Sequence, residues 1–346
     1  MTVLVTGAAG FVGFHVAQKL LERGETVIGL DNLSDYYDVA LKRNRLGQLE
    51  KYANFSFHRI DLADRSTMEY FFSGAGKDIT RIIHLAAQAG VRYSVENPHV
   101  YIASNVVGHL HILEGARNLK KLRNMVYASS SSVYGANKKI PFSVTDVVNS
   151  PVSLYAATKR MDELLSYTYA HLYKIPQTGL RFFTVYGPWG RPDMGVYQFA
   201  DAIAKGKPIK VFNNGNMKRD FTYIDDITRG VIASLDNTTP HDEDGVPHRI
   251  LNLGNHRSEN LMSYISEMEK AFGMTAQKEY LPMQLGDVVE TYADIDETTK
   301  AIGYHPTTTI AQGVPKFVAW YKEYHGMTPA APAKTREKIL ADAEAA

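Results

Sequence analysis

Over the first 125 or so residues, short runs of β-branched and aliphatic residues alternate with longer amphipathic stretches. That is the pattern of a parallel sheet wrapped by helices. Strands are predicted over 3–6, 26–30, 55–59, 81–84 and 125–128, and helices over 10–23, 39–52, 66–72 and 100–119. A long helix is predicted after Pro151 and Ser153, a stiff start and an N-cap, running through Tyr155 to Tyr173. A strand over 177–182 follows. Beyond Gly187 turn residues thicken, at 187–192, 206–208, 213–216 and 239–245, and the strict alternation is lost. The expected architecture is α/β: a doubly wound parallel sheet over 1–187, return segments near 222–256 with a last strand at 250–253, and a smaller C-terminal α/β domain over 188–325. Residues 326–346, rich in Ala, Lys and Glu with Pro329 and Pro332, read as a flexible tail.

Composition narrows the function classes. The chain has 346 residues, 45% hydrophobic and 22% charged, an ordinary globular balance. Lys and Arg total 38 against 37 Asp and Glu, so no bulk field favours nucleic acid or an anionic membrane, and an anionic ligand must be met by local arginines. The absence of cysteine excludes disulfides, thiolate zinc sites and a cysteine nucleophile, and it fits a reducing cytoplasm. No apolar run reaches the roughly 18 residues of a membrane span. Met1 leads directly into a strand and a glycine turn, so a soluble cytoplasmic protein without a leader is expected. Of the 12 histidines only His109 and His111 are close, on different faces of a predicted helix, and no metal site is expected.

Gly7-Ala8-Ala9-Gly10-Phe11-Val12-Gly13 joins a predicted strand to a predicted helix. Glycines at this spacing permit a tight turn, close approach of backbone to a pyrophosphate, and close packing of helix on strand. The helix N-terminus then offers free N–H groups and the positive end of its dipole. Taken alone, the spacing is equally that of an ordinary turn. Asp31 follows Gly13 by 18 residues at the end of the second strand. A carboxylate there accepts bonds from adenosine ribose hydroxyls and repels a 2′-phosphate, which favours NAD over NADP. Asp61-Leu62, closing the third strand, either borders the adenine or caps a helix.

Tyr155 and Lys159 stand four apart on one helix face, where the ammonium favours the phenolate and suits it to general-base work. The run Ser129-Ser130-Ser131-Ser132-Val133-Tyr134-Gly135 follows the strand predicted at 125–128, at the carboxyl edge where open α/β sheets bind ligands.

These segments, with Asn32, Leu85-Ala86-Ala87 and Arg181-Phe182-Phe183-x-x-Tyr186-Gly187, resemble in matching order from Thr2 to Tyr324 the extended short-chain dehydrogenases that act on nucleotide sugars, the NAD-dependent epimerase/dehydratase family. The resemblance implies a Rossmann sheet over 1–187 holding NAD and a UDP-sugar-binding domain over 188–325. It places Gly7, Gly10, Phe11, Val12, Gly13, Asp31, Asn32, Asp61, Leu62, Leu85, Ala86 and Ala87 against the cofactor. It makes Tyr155 the base for the sugar 4-hydroxyl, with Ser130 bonded to the same oxygen and Lys159 holding the nicotinamide ribose and tuning Tyr155. The 4-keto sugar turns about its link to UDP and takes the hydride back on its other face. A homodimer through the helices at 100–119 and 154–173 is implied as well.

Within that family, dehydratases and UDP-glucuronate decarboxylases carry a carboxylate directly before Val-Tyr-Gly. Here Ser132 stands there, preceded by Ser131, another candidate for sugar contact, and neither does acid–base work near neutral pH. The stretches 84–94 and 184–194 resemble UDP-glucuronate 4-epimerases. Arginine meets a carboxylate with a planar fork; Arg191 is the candidate for the C6 carboxylate, Thr184 lies beside it, and Arg92 is a further candidate for the same region. Arg219 matches the segment that meets the diphosphate, and Asp287 the one near the UDP ribose, while Gln284 stands where many relatives have arginine. The expected reaction is reversible conversion of UDP-glucuronate to UDP-galacturonate. The alternatives are a UDP-glucose/UDP-galactose 4-epimerase, a UDP-glucuronate decarboxylase and a non-catalytic NAD-binding protein.

Overall fold

Seven apolar runs pair side by side as parallel strands: β1 (Thr2–Thr6), β2 (Thr26–Asp31), β3 (Phe55–Arg59), β4 (Arg81–His84), β5 (Asn124–Ser130), β6 (Gln177–Phe182) and β7 (His248–Leu253). Their order across the sheet is β7-β6-β5-β4-β1-β2-β3. The computed structural model describes residues 1–284 and 287–327. Leu285, Gly286 and the tail expected at 326–346 fall, the tail from 328 onward, outside the described residues.

The inner strands lack a period-2 alternation because helices cover both faces of the sheet, whereas the edge strand β3 alternates Phe55 and Phe57 with polar residues. Val3 and Val5 enter one apolar core and Leu4 the other. Helix α1 (Phe11–Glu22) lies with α6 (Ile224–Asp236) on one face. Helices α3 (Arg65–Ser73) and α4 (Gly108–Asn118) cover the other, and α5 (Leu154–Tyr173) continues that layer beside α4. Helix α2 (Val39–Leu49) packs on α1. The helix expected at 100–119 begins at Pro98 and contains a π-helical stretch, Ile102–Val107, before α4. Such stretches recur at functional sites, and here Asn105 within it donates to Thr158 Oγ1 (3.0 Å) and Gln88 O (3.0 Å).

The remaining chain forms a smaller α/β region. Three short strand pairs, Thr184–Tyr186 with Phe221–Tyr223, Lys218–Arg219 with Glu259–Asn260, and Ile209–Phe212 with Lys278–Leu281, stand with helices Gly195–Ala204, Leu261–Phe272 and Ile310–Tyr324. The core on the α1 face continues into this region through Phe199, Phe221, Tyr264 and Phe317. Strand direction sets the site. After β1 the chain moves outward to β2 and β3, then returns to place β4 on the other side of β1. That reversal opens a crevice at the carboxyl ends of β1 and β4.

Candidate active site

The glycine loop starts where β1 ends. Gly7 has φ +70°, and a Cβ there would lie 2.9 Å from Ala86 N, so the loops after β1 and β4 touch. A Cβ on Gly13 would lie 2.0 Å from Gly7 O, which leaves no room for any other residue. Helix α1 has Gly10 as its N-cap with no side-chain cap, so the N–H groups of Phe11, Val12 and Gly13 remain for a ligand. The turn 85–87 is fixed by Thr6, whose hydroxyl accepts from Leu85 N (3.1 Å) and Ala86 N (3.1 Å) and donates to His84 Nδ1 (2.7 Å). Burial, aided by the Lys159 charge, pushes the His84 imidazole down to about 3, so it stays neutral.

Asp31 closes β2 and accepts from Ala9 N (3.2 Å) and Leu33 N (2.8 Å). Lys42 Nζ lies 4.0 Å away, buried, with its ammonium over the Tyr37 ring and its pKa drawn down by that burial. Asn32 donates to Asp61 (3.2 Å), which also accepts from Ala63 N (2.9 Å); the cap of α3 is Asp64, not Asp61. A cradle that excludes Cβ atoms, uncapped amides and a carboxylate beside them fit a dinucleotide: pyrophosphate on the amides, ribose hydroxyls on Asp31 and Lys42.

The strand predicted to end at Ala128 runs on in β5 through Ser129 and Ser130, and 131–134 form a 3₁₀ turn. Ser129 donates to Glu163 (2.7 Å), which also holds Arg181 (2.8 and 3.0 Å) and Arg160 (2.9 Å). Against the burial that would raise it, the Arg181 pair, Ser129 and Arg160 keep the Glu163 carboxyl below its ordinary range. Ser130 Oγ accepts from Ser132 N (3.2 Å), which aims the loop. On α5, capped by Ser153 (3.1 Å to Ala156 N), Lys159 donates to Ala128 O (3.0 Å) and Asp162 (3.0 Å). Two of its three N–H groups are thus used, and the residue faces the same cavity as Tyr155. Burial raises Asp162 to about 6, opposed by Lys159.

A cavity of about 1070 Å³ holds all of this together. It exceeds the roughly 300–1,000 Å³ of a pocket for one small molecule. The candidate cofactor and substrate residues line it: the cofactor set from Gly7 to Ala87, Ser130, Ser131, Tyr155 and Lys159, and Arg92, Thr184, Arg191, Arg219 and Asp287. Arg191 pairs with Asp193, which outweighs burial and raises the guanidinium. Arg92 does not join Arg191. It donates to Asp287 (3.3 Å), lies over the Phe212 ring, and sits within electrostatic reach of Arg219, because the loop after β4 carries it toward the far end of the cleft. Burial lowers Arg219, opposed by Asp287.

Several lining residues escaped the sequence reading. Tyr36, in the loop between β2 and α2, lies tilted against the Tyr93 ring (4.8 Å between centroids) and donates to Asp193 (3.3 Å). Lys42 and Arg45 lie with Leu41, Leu46 and Leu49 on the buried face of α2. Basic residues on the apolar stripe of an amphipathic helix were the available signal. Arg45 donates to Ala9 O (3.0 Å), Trp189 O (2.6 Å) and Gly190 O (3.2 Å), so it ties the glycine loop to the loop bearing Arg191.

Fold and cavity define a dinucleotide-dependent enzyme of the extended short-chain dehydrogenase architecture. The model of the NAD dependent epimerase/dehydratase family matches residues 3–254, and the chain belongs to that family. A probable UDP-glucuronate 4-epimerase of Rhizobium meliloti (strain 1021) is 44% identical over 93% of this chain and 97% of its own. The UDP-glucuronic acid 4-epimerase of Bacillus cereus, solved with UDP-glucuronic acid and NAD, superposes with a TM-score of 0.85 at 33% identity, covering 94% of this chain and all of that one. A UDP-glucose 4-epimerase of Thermotoga maritima, solved with UDP-glucose, gives 0.84 at 28% identity over 94% of this chain and all of that one. Among the described residues no helix is long and apolar enough to cross a membrane.

Proposed function

We propose that this enzyme, a UDP-sugar 4-epimerase, interconverts UDP-glucuronate and UDP-galacturonate. The observation that carries the uronate is Arg191, a guanidinium lining the cavity within electrostatic reach of Tyr155. NAD, the family's cofactor, would be held by the Gly7–Gly13 loop, Asp31 and Lys159 and would supply the hydride acceptor for the sugar C4. Tyr155 takes the proton of the 4-hydroxyl and gives it back, and the Ser130 hydroxyl donates to the same oxygen. Lys159, anchored to Ala128 O and Asp162, keeps one N–H for the cofactor ribose and its charge near the phenol. Arg219 meets the diphosphate, Asp287 the UDP ribose, and Arg191 with Thr184 the C6 group.

The acid–base inventory supports epimerisation over elimination. Among the described residues the carboxylates lining the cavity are Asp31, Asp61, Asp193 and Asp287. Two stand at the cofactor end and two are paired with arginines. The serine turn holds none, so C5 has no proton acceptor there. A 4-keto uronic acid is also a β-keto acid. Holding its carboxylate in the sugar plane, where the C5–C6 bond cannot overlap the carbonyl π-system, suppresses loss of carbon dioxide. A second reading, a UDP-glucose/UDP-galactose 4-epimerase, is favoured by the charge neutrality of the Arg191–Asp193 pair, which tolerates a hydroxymethyl group. Homodimerisation is supported by Val95, Ile102, Met161, Leu164 and Leu172, apolar residues exposed on the helical segments over 93–107 and on α5.

The test is incubation of the purified enzyme with UDP-glucuronate or UDP-glucose without added NAD. UDP-galacturonate is the expected main product, and Tyr155→Phe should lower its rate by about 10²–10⁴-fold. Preference for UDP-glucose, or UDP-pentose as the main product, would overturn the reading.

A further inference from the structure

A guanidinium presents two forks: a side edge made by Nε and Nη2, and an end edge made by Nη1 and Nη2. Asp193 takes the side edge of Arg191, accepting from Nε at 3.0 Å and from Nη2 at 2.5 Å. Among the described residues Nη1 has no hydrogen-bond partner, and Arg191 lines the cavity. Asp193 is held in turn by the Tyr36 hydroxyl at 3.3 Å, and Tyr36 is braced by Tyr93. The backbone before Arg191 is pinned from the cofactor side, by Arg45 on Trp189 O and Gly190 O and by His15 Nε2 donating to Pro188 O (3.0 Å).

We propose that Asp193, steadied by Tyr36, is a positioning residue that determines specificity at C6: it fixes Arg191 by the side edge so that the end edge receives the substrate carboxylate. This rests on the reading that Arg191 meets that carboxylate. Asp193 also cancels the arginine's charge, so net charge by itself does not select a carboxylate over a hydroxymethyl group. Discrimination then comes from a planar fork held in register, which only a carboxylate can fill. Asp193→Asn leaves one acceptor and turns an amide N–H₂ toward a donor, so the fork loses its register. Tyr36→Phe removes only the brace.

Calorimetric titration of the NAD-loaded enzyme with UDP-glucuronate, UDP-glucose and UDP tests this. In Asp193→Asn the Kd for UDP-glucuronate should rise about 10- to 100-fold, the loss of a hydrogen bond to a charged group. Tyr36→Phe should shift it the same way by about 2- to 10-fold, the loss of an ordinary hydrogen bond. The Kd values for UDP-glucose and UDP should stay at their wild-type levels in both variants. Tyr36→Phe keeps the test open should Asp193→Asn fail to fold. Equal losses for both sugars, or unchanged or tighter uronate binding in Asp193→Asn and Tyr36→Phe, overturn the role of Asp193. Arg191→Ala separates this from the underlying reading. If Arg191→Ala binds UDP-glucuronate as wild type does, the C6 assignment itself fails; if it alone loses the uronate, only the positioning role fails.

Discussion

The cofactor half of the cleft is made mainly of backbone, and the sugar half of side chains. Gly7 and Gly10 lie in the turn between β1 and α1 and Gly13 in the first turn of α1, and their work is to have no side chain while the amides of one helix face the cavity. Arg92, Thr184, Arg191, Arg219 and Asp287 come instead from four separated segments, and each is held by a partner or a strand pair. A backbone site tolerates no added bulk at its centre but is indifferent to most other changes. A side-chain site can be retuned one group at a time, which suits a family whose members differ in the sugar they take.

The sharpest way to break this contrast is Gly13→Val. A branched side chain meeting Gly7 O should cost about 3 kcal/mol or more, the upper end of overpacking, and the protein should purify without NAD. Denaturant unfolding and cofactor content check it, and a variant that retains both would show that the loop yields more than its geometry allows. On the sugar side, Arg219→Ala should weaken UDP binding by about 2 kcal/mol, as for a lost hydrogen bond to a charged group. Arg92→Ala should cost about 1 kcal/mol or less, since its pair with Asp287 is half exposed. Titration with UDP compares them, and a larger loss at Arg92 would reverse their ranking.

A pH-dependent effect concerns the histidines beneath the cofactor half. His84 is lowered to about 3 by burial and the Lys159 charge, and His109 well below its ordinary value by burial, so both are neutral in the fold. An unfolded chain protonates them near pH 6.5, whereas the folded chain does not. Their contribution to stability is complete above about pH 6.5 and is lost as pH falls toward the folded values, by up to about 1.4 kcal/mol per pH unit for each. Unfolding free energies between about pH 7 and pH 5 should show this slope, and His109→Gln should remove one histidine's share; an unchanged slope would place His109 outside the effect.

Much of this is legible in the sequence. Strands β3, β4 and β6 match their predicted bounds; β4 is buried throughout around Ile82 and Ile83, whereas β3, at the sheet edge, alternates Phe55 and Phe57 with polar residues. The glycine loop, Tyr155 and Lys159 could be placed because each works over a span of a few residues. The strand predicted to end at Ala128 runs on through Ser130, since pairing of Ser130 with Phe182 extends β5 by a contact invisible in its own segment. Arg92 was grouped with Arg191 because both are arginines near loops of the same resemblance, but the path of the chain after β4 carries it to Asp287 instead.

The sequence by itself determined the doubly wound sheet, the cofactor turn and the base with its lysine, since these depend on periodicity and on neighbours within a turn of helix. Tertiary structure alone decided which charges meet: Asp193 with Arg191, Arg92 with Asp287, Arg45 across the glycine loop and the loop at 187–192, and Tyr36 over the sugar end. Electrostatic partnership depends on distance through space, and distance between segments far apart in sequence is set by packing.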